Sequence, residues 1–362
     1  MINLYDPIIN KEDILSVVNV LNKKWLSGNT EINKEFEKKL SEFLEVKYVS
    51  TCSSGTTGLH LALLGLGVGK NDEVIVPSLS YIASANAVTY LGARPKFIDV
   101  DKKTWQMDTS KLRSAITSKT KAIMPVHLYG GVPDLKNISD IAKEFNLKII
   151  HDSAEALGSK YSGKSSLAFK DVSVLSFFPN KLITTGEGGA VVTNNKKVYE
   201  LIEKLKSQGL EGKREYYHSD IGFNYRMSAM SAALGLTQIS RINDYLTKKK
   251  EINSIFKFEL EKLGFKFQEF NYKITSSFWL NVAIVPEGSS RDKLKEYLFK
   301  NGIETRNVFV PIHLQPPYIK KMQNKNFKVS EYISKNGICF PSSPSLKISE
   351  IKHITKLIKK FY

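Results

Sequence analysis

The sequence predicts an α/β protein: a large domain with a mostly parallel sheet covered by helices, then a smaller C-terminal α+β domain. Three observations carry this reading. From about residue 50 to about residue 195, short β-branched runs alternate with longer amphipathic segments, the pattern of strands joined by covering helices. Past residue 198 the pattern is helical for a long stretch, then gives way to a second, shorter set of strands and helices. No repeat, low-complexity tract or proline-rich linker interrupts the chain, whose 362 residues suffice for two domains at roughly 150 residues each. The boundary is expected near residue 245, giving a large α/β domain over 1–245, N-terminal segment included, and a small domain over 246–362.

Taken in order, strands are expected at 73–77, 95–100, 122–127, 148–152, 173–177 and 190–193, with helices at 56–66, 80–91 and 135–145 between them. The first helix follows Ser53-Ser54-Gly55-Thr56, a run of small and hydroxyl residues suited to a helix start. Residues 198–206 and 228–258 read as helical, with one long helix around 234–262. Strands at 278–285, 303–308 and 337–340 and helices at 290–301 and 349–361 complete the smaller domain.

Composition narrows the class. Charged residues at 25% and apolar residues at 42% fit an ordinary globular protein. Two cysteines, Cys52 and Cys339, cannot build a disulfide framework or a thiolate metal site, so no metal is expected and a reducing cytoplasm is the simplest location. The first eleven residues lack a basic stretch followed by an apolar run, and no run of about 18 apolar residues occurs, so neither a signal peptide nor a membrane span is expected. The formal charge of +17 favours polyanionic partners such as nucleic acid, an acidic lipid surface or small phosphorylated substrates. The lysines are scattered, which also fits a solvated surface, and no stripe or motif for nucleic acid is present.

Several residues could carry chemistry. In open parallel sheets ligands bind at the carboxyl edge, so polar residues ending the strands should converge there. Lys181 follows a strand and precedes a Gly-rich turn, in Ser176-Phe-Phe-Pro-Asn-Lys181-Leu-Ile-Thr-Thr-Gly-Glu-Gly-Gly189. A partly enclosed lysine can lose its proton and condense with an aldehyde; the alternative is a surface lysine beside a hairpin. Asp152 ends its strand in His-Asp152-Ser-Ala-Glu155, where it could face the ring nitrogen of pyridoxal phosphate or cap a helix. Glu155 could contact the ring hydroxyl or lie in solvent. Gly55, Thr56 and Thr57 supply backbone N–H groups and hydroxyls for a phosphate at a helix start, and Ser176 could add a hydroxyl or simply occupy its strand. Tyr81, just after another strand, could stack on a flat heteroaromatic ring or belong to the core.

Seven segments in order, SSGTTGLHLAL, DEVIVPSLSYIASANAV, PVHLYG, HDSAEALGS, SFFPNKLITTGEGGAVVTN, IGFNYRMSAMSAALGLTQ and IETRNVFVPIHLQPPY, resemble the DegT/DnrJ/EryC1/StrS family of pyridoxal-phosphate-dependent sugar aminotransferases. The resemblance spans nearly the whole chain and implies the type I fold of such transferases, the aspartate aminotransferase-like one. It implies Lys181 as the Schiff-base lysine, Asp152 as partner of the pyridine nitrogen, and Tyr81 as the stacking aromatic. It makes Thr56, Thr57 and Ser176 phosphate ligands. Glu155 stands where many members carry Gln or His. Asn224 and Arg226, in the N-Y-R motif, would reach a second subunit's site in a homodimer, and His313 would lie near the sugar. The resemblance implies L-glutamate as donor and a nucleotide-linked 4-keto-6-deoxy sugar as acceptor. The subgroup that aminates GDP-4-keto-6-deoxymannose is the first expectation, for surface polysaccharide biosynthesis. UDP- and dTDP-linked keto sugars are alternatives, as are a sugar dehydratase, disfavoured because Lys181 is kept, and a non-catalytic binding protein.

Overall fold

The computed structural model describes residues 1–169, 171–211, 215–320 and 326–362. Seven strands form the main sheet: β1 (Tyr48–Cys52), β2 (Glu73–Pro77), β3 (Arg94–Ile98), β4 (Thr120–Ile123), β5 (Lys148–Asp152), β6 (Val172–Ser176) and β7 (Gly189–Thr193). Their order is β1-β7-β6-β5-β4-β2-β3. β3, β2, β4, β5 and β6 run parallel, while β7 pairs antiparallel with both β6 and β1. The expected mostly parallel sheet is therefore present, with one reversed strand.

Strand alternation sends side chains to two cores. Val174 and Val191 pack with α3 (Gly55–Gly65) and α4 (Ala83–Tyr90), whereas Leu175 and Ala190 pack with Phe36 and Leu40. Phe36 and Leu40 lie on α2 (Glu31–Leu44), which follows α1 (Lys11–Asn22). The amphipathic α5 (Leu135–Glu144) covers β4 and β5 through Ile138 and Ile141. β1 and both N-terminal helices lay outside the expected elements. β4 is shorter than expected because Pro125 has no N–H to continue the ladder. Pro95 is accommodated because β3 is an edge strand.

After α6 (Lys196–Leu205), the single long helix expected around 234–262 is two helices, α7 (Ala229–Ser240) and α8 (Ile242–Glu261). The break is at Arg241, whose backbone leaves helical angles and whose guanidinium binds buried Asp13 of α1 at 2.8 Å. Local periodicity cannot report that distant carboxylate. α8 spans two cores: Ile242 and Tyr245 join the α2 side of the large sheet, while Ile252, Phe256 and Leu260 enter a separate core. That second core packs on the antiparallel sheet β8-β9-β11-β10, formed by β8 (Lys266–Phe267), β9 (Asn281–Ile284), β10 (Arg306–Asn307) and β11 (Gly337–Phe340). Helices α9 (Arg291–Lys300) and α11 (Ile348–Phe361) cover it, and α10 (Lys328–Asn336) precedes β11. A third cluster, with Leu79, Trp105, Tyr129, Trp279 and Val282, joins the two sheets beside the carboxyl edge of the large one. Among the described residues no helix is long and apolar enough to cross a membrane.

Candidate active site

Strand ends, a helix start and one aromatic roof build the site. β5 ends on Asp152, which is buried, and α4 presents Ser84, whose hydroxyl donates to Asp152 Oδ2 at 2.6 Å. The Ala154 N–H donates to Oδ1 at 3.2 Å. Burial raises the Asp152 carboxyl pKa, while Ser84, the Ala154 N–H and Lys181 oppose that rise.

Lys181 follows β6 on a turn tied by its own N–H to the Phe178 carbonyl. Its Nζ lies 3.7 Å from Glu155 Oε1, and both side chains are nearly enclosed. Burial lowers the lysine pKa, against the pull of Glu155 and then Asp152. Burial also pushes Glu155 up to about 7. Two enclosed ionisable groups are thus both displaced toward neutrality, which is what an amine needs to act as nucleophile or base near neutral pH. The Trp279 ring roofs the amine, its centroid 3.8 Å from Nζ.

The other Glu155 oxygen accepts the Tyr129 N–H at 2.8 Å. That donor is aimed by a strained turn: Tyr129 sits at φ +57 and Gly130 at φ +88. A side chain on Gly130 would meet Ser277 Oγ at 2.7 Å and the Phe278 nitrogen at 2.8 Å, so glycine is required there on two counts.

α3 starts beside the end of β6. A Cβ on Gly55 would fall 2.9 Å from Ser176 Cβ, so the missing side chain lets the helix N-terminus and the Ser176 hydroxyl share one place. First-turn N–H groups have no partner within a helix and favour an anion. Thr57 is committed elsewhere: its hydroxyl accepts the Ser54 N–H and its N–H donates to Ser54 Oγ, a capping box that fixes the turn. Its side chain therefore serves the cap.

The structure brings Asp152, Glu155 and Lys181 together, and Gly55 next to Ser176. Tyr81 is 59% exposed at the start of α4, a ring face free of the core. His313 is buried, its Nδ1 2.5 Å from Ser78 Oγ and its Nε2 3.3 Å from Glu331 Oε1. Both of its ring nitrogens are thus engaged. Asn224 and Arg226 are exposed, on a segment held by the Tyr225 backbone against Ser53 and Lys206. Sequence reasoning missed Ser84, Tyr129 and Trp279 as site residues. Tyr129 lay within a quoted motif, but Trp279 is distant in the chain and carried no local signal.

These residues fit pyridoxal phosphate. An enclosed amine meets an aldehyde, a fixed carboxylate meets a ring nitrogen, and a side-chain-free helix start meets a phosphate. Ser153 Oγ and Asn180 Oδ1, next in sequence to Asp152 and Lys181, are buried polar atoms without a hydrogen-bond partner among the described residues, as at a site made for a polar group.

Comparison with known proteins agrees. The model of the DegT/DnrJ/EryC1/StrS aminotransferase family matches residues 7–359. A GDP-perosamine synthase of Escherichia coli O157:H7 is 43% identical over 361 residues, covering 100% of this chain and 98% of that protein. A GDP-perosamine synthase of Caulobacter vibrioides is 40% identical over 93% of this chain and 92% of its own. The candidate sugar aminotransferase Spr1654 of Streptococcus pneumoniae, in its PLP form, superposes with a TM-score of 0.93 at 30% identity, over 99% and 97% of the two chains. On this evidence of sequence, fold and site, the chain belongs to the DegT/DnrJ/EryC1/StrS aminotransferase family and is a pyridoxal-phosphate-dependent sugar aminotransferase.

Proposed function

We propose that the chain transfers the amino group of L-glutamate to GDP-4-keto-6-deoxymannose, giving GDP-perosamine for surface polysaccharide, and works in the cytoplasm as a homodimer with shared sites. The observation that carries this is the enclosed Lys181 amine between Asp152, Glu155 and the Trp279 ring, in a chain whose full-length relatives are named GDP-perosamine synthases.

When bound, pyridoxal phosphate supplies an aldehyde that captures amines and a ring that accepts electrons from the substrate carbon. Lys181 would hold it, and its Nζ would serve as the base that takes the donor's α-proton and as the acid that returns it, a role its lowered basicity suits. Asp152, fixed by Ser84, would hold the ring N–H. Glu155 lies against the amine and can keep or release a proton as Lys181 changes charge. The N–H groups of Gly55 and Thr56 and the Ser176 hydroxyl would bind the phosphate, and Tyr81 would pack on the ring. Asn224 and Arg226, exposed in the single chain, are offered to a partner's site, and part of the +17 charge draws in the sugar diphosphate. Two free, buried cysteines support a reducing location.

The test is a panel of GDP-, UDP- and dTDP-linked 4-keto-6-deoxy sugars with L-glutamate, scored by product mass. Aminated GDP sugar is expected. Product from UDP or dTDP sugars alone would overturn the nucleotide assignment, and a deoxygenated product would indicate a dehydratase. Borohydride reduction followed by peptide mapping should place the cofactor mass on Lys181.

A further inference from the structure

Lys249, in the middle of α8, is wholly buried and belongs to no ion pair among the described residues. Burial alone drives its pKa well below the ordinary lysine value. An apolar side chain would fill such a place at no desolvation cost, so the amine must be judged by what it touches. Its Nζ donates to the Trp279 carbonyl at 2.6 Å and to the Ser342 carbonyl, and it lies 4.8 Å from the centroid of the Tyr5 ring.

Two of these three contacts lead directly to Lys181. Trp279 places its ring over the Lys181 amine, and its Nε1 donates to the Asn180 carbonyl at 2.6 Å. Tyr5 donates its hydroxyl to the Lys181 carbonyl at 2.7 Å. Trp279 lies outside the strand ladder, since β9 starts at Asn281, and it follows Phe278 at φ +49. The Trp279 carbonyl thus depends on a side chain for the hold that a neighbouring strand would otherwise give. The Ser342 contact ties the same amine to the chain just past β11.

We infer that Lys249 is a positioning residue for the active-site lysine: from outside the pocket it holds the Trp279 roof and the Tyr5 strut that together fix Lys181. The inference rests on the reading of Lys181 as the cofactor-binding amine. Lys249 touches no reacting atom.

The experiment uses Lys249→Met, which keeps the bulk and removes the donors. Cofactor-free protein, checked for folding by circular dichroism, is treated with acetic anhydride, and acetylation of Lys181 is followed by peptide mass spectrometry. With the roof loosened, Lys181 should be labelled about tenfold faster than in the wild type. The reconstituted variant should lose about 10- to 100-fold in kcat while KM for the donor stays within about twofold. Leu294→Ala, in the second core, is the control for a merely structural effect: it should lower the melting temperature without changing Lys181 labelling. Wild-type labelling in folded Lys249→Met, or equal acceleration in Leu294→Ala, overturns the inference. Should Lys249→Met fail to fold, Lys249→Leu, which likewise removes the donors, carries the same test, and unchanged labelling there is equally fatal. Failure of borohydride to fix cofactor on Lys181 would instead sink the functional reading, because labelling is measured without cofactor.

Discussion

Replacing Glu155 with Gln tests the electrostatics of the site directly. The substitution keeps the size of the side chain and an acceptor for the Tyr129 N–H, and it removes the titrating oxygen 3.7 Å from Lys181. In the folded wild type Glu155 holds its proton up to about 7, whereas in the unfolded chain it releases it near 4.5. Between those pH values the folded state binds the extra proton, so stability falls as pH rises. A gap of about 2.5 pH units at 1.36 kcal/mol each is worth roughly 3 kcal/mol. Gln cannot titrate, so the variant escapes this loss. Removing Glu155 also lowers the Lys181 pKa further, and a depressed lysine makes stability rise with pH, which acts in the same direction. Thermal melts of the cofactor-free proteins at pH 5 and pH 8 provide the assay. At about 2.1 cal/mol/K of unfolding entropy per residue, Glu155→Gln should gain roughly 4 °C on the wild type between the two pH values. Parallel curves across that interval would refute a protonated, buried Glu155 beside Lys181.

Asp152→Asn should lower kcat by about 100-fold or more, since it removes the charge aimed at the ring nitrogen. Ser84→Ala, which costs Asp152 one charged hydrogen bond, should lower it about tenfold in the same assay. Gly55→Ala forces a Cβ against Ser176 and should cost about 1–3 kcal/mol, seen as weaker pyridoxal phosphate binding in an absorbance titration. Lys206→Met strands Glu37 and Glu203, which Lys206 now bridges, and should cost about 3 kcal/mol at pH 8. Because burial already raises the Glu37 pKa, protonation should relieve part of that deficit at pH 5; an equal deficit at both pH values would contradict the assignment.

Short β-branched runs located six of the seven strands of the large sheet to within a few residues, because burial on both faces leaves a near-continuous apolar run in the chain, while β1 went unmarked. Asp152, Lys181, Ser176 and Gly55 were legible for a related reason: each sits at a strand end or a helix start, positions that local sequence marks. Their meeting followed from the rule that parallel strands present their carboxyl ends on one edge.

What lay beyond the sequence was whatever depended on a distant partner. Arg241, where the helix breaks, pairs with Asp13 more than two hundred residues away, a contact that periodicity alone cannot report. Only the folded turn showed that the Thr57 hydroxyl caps the helix against Ser54. Ser84, Trp279 and Lys249 are ordinary residues in their own segments and gain importance only through contacts at 2.6 to 3.8 Å with groups far along the chain. The sequence by itself determined the layer architecture and the chemistry of the amine and its carboxylates. Tertiary structure decided how that amine is roofed, paired and moved off its ordinary pKa, because desolvation and hydrogen bonding depend on the atoms that surround a group in space.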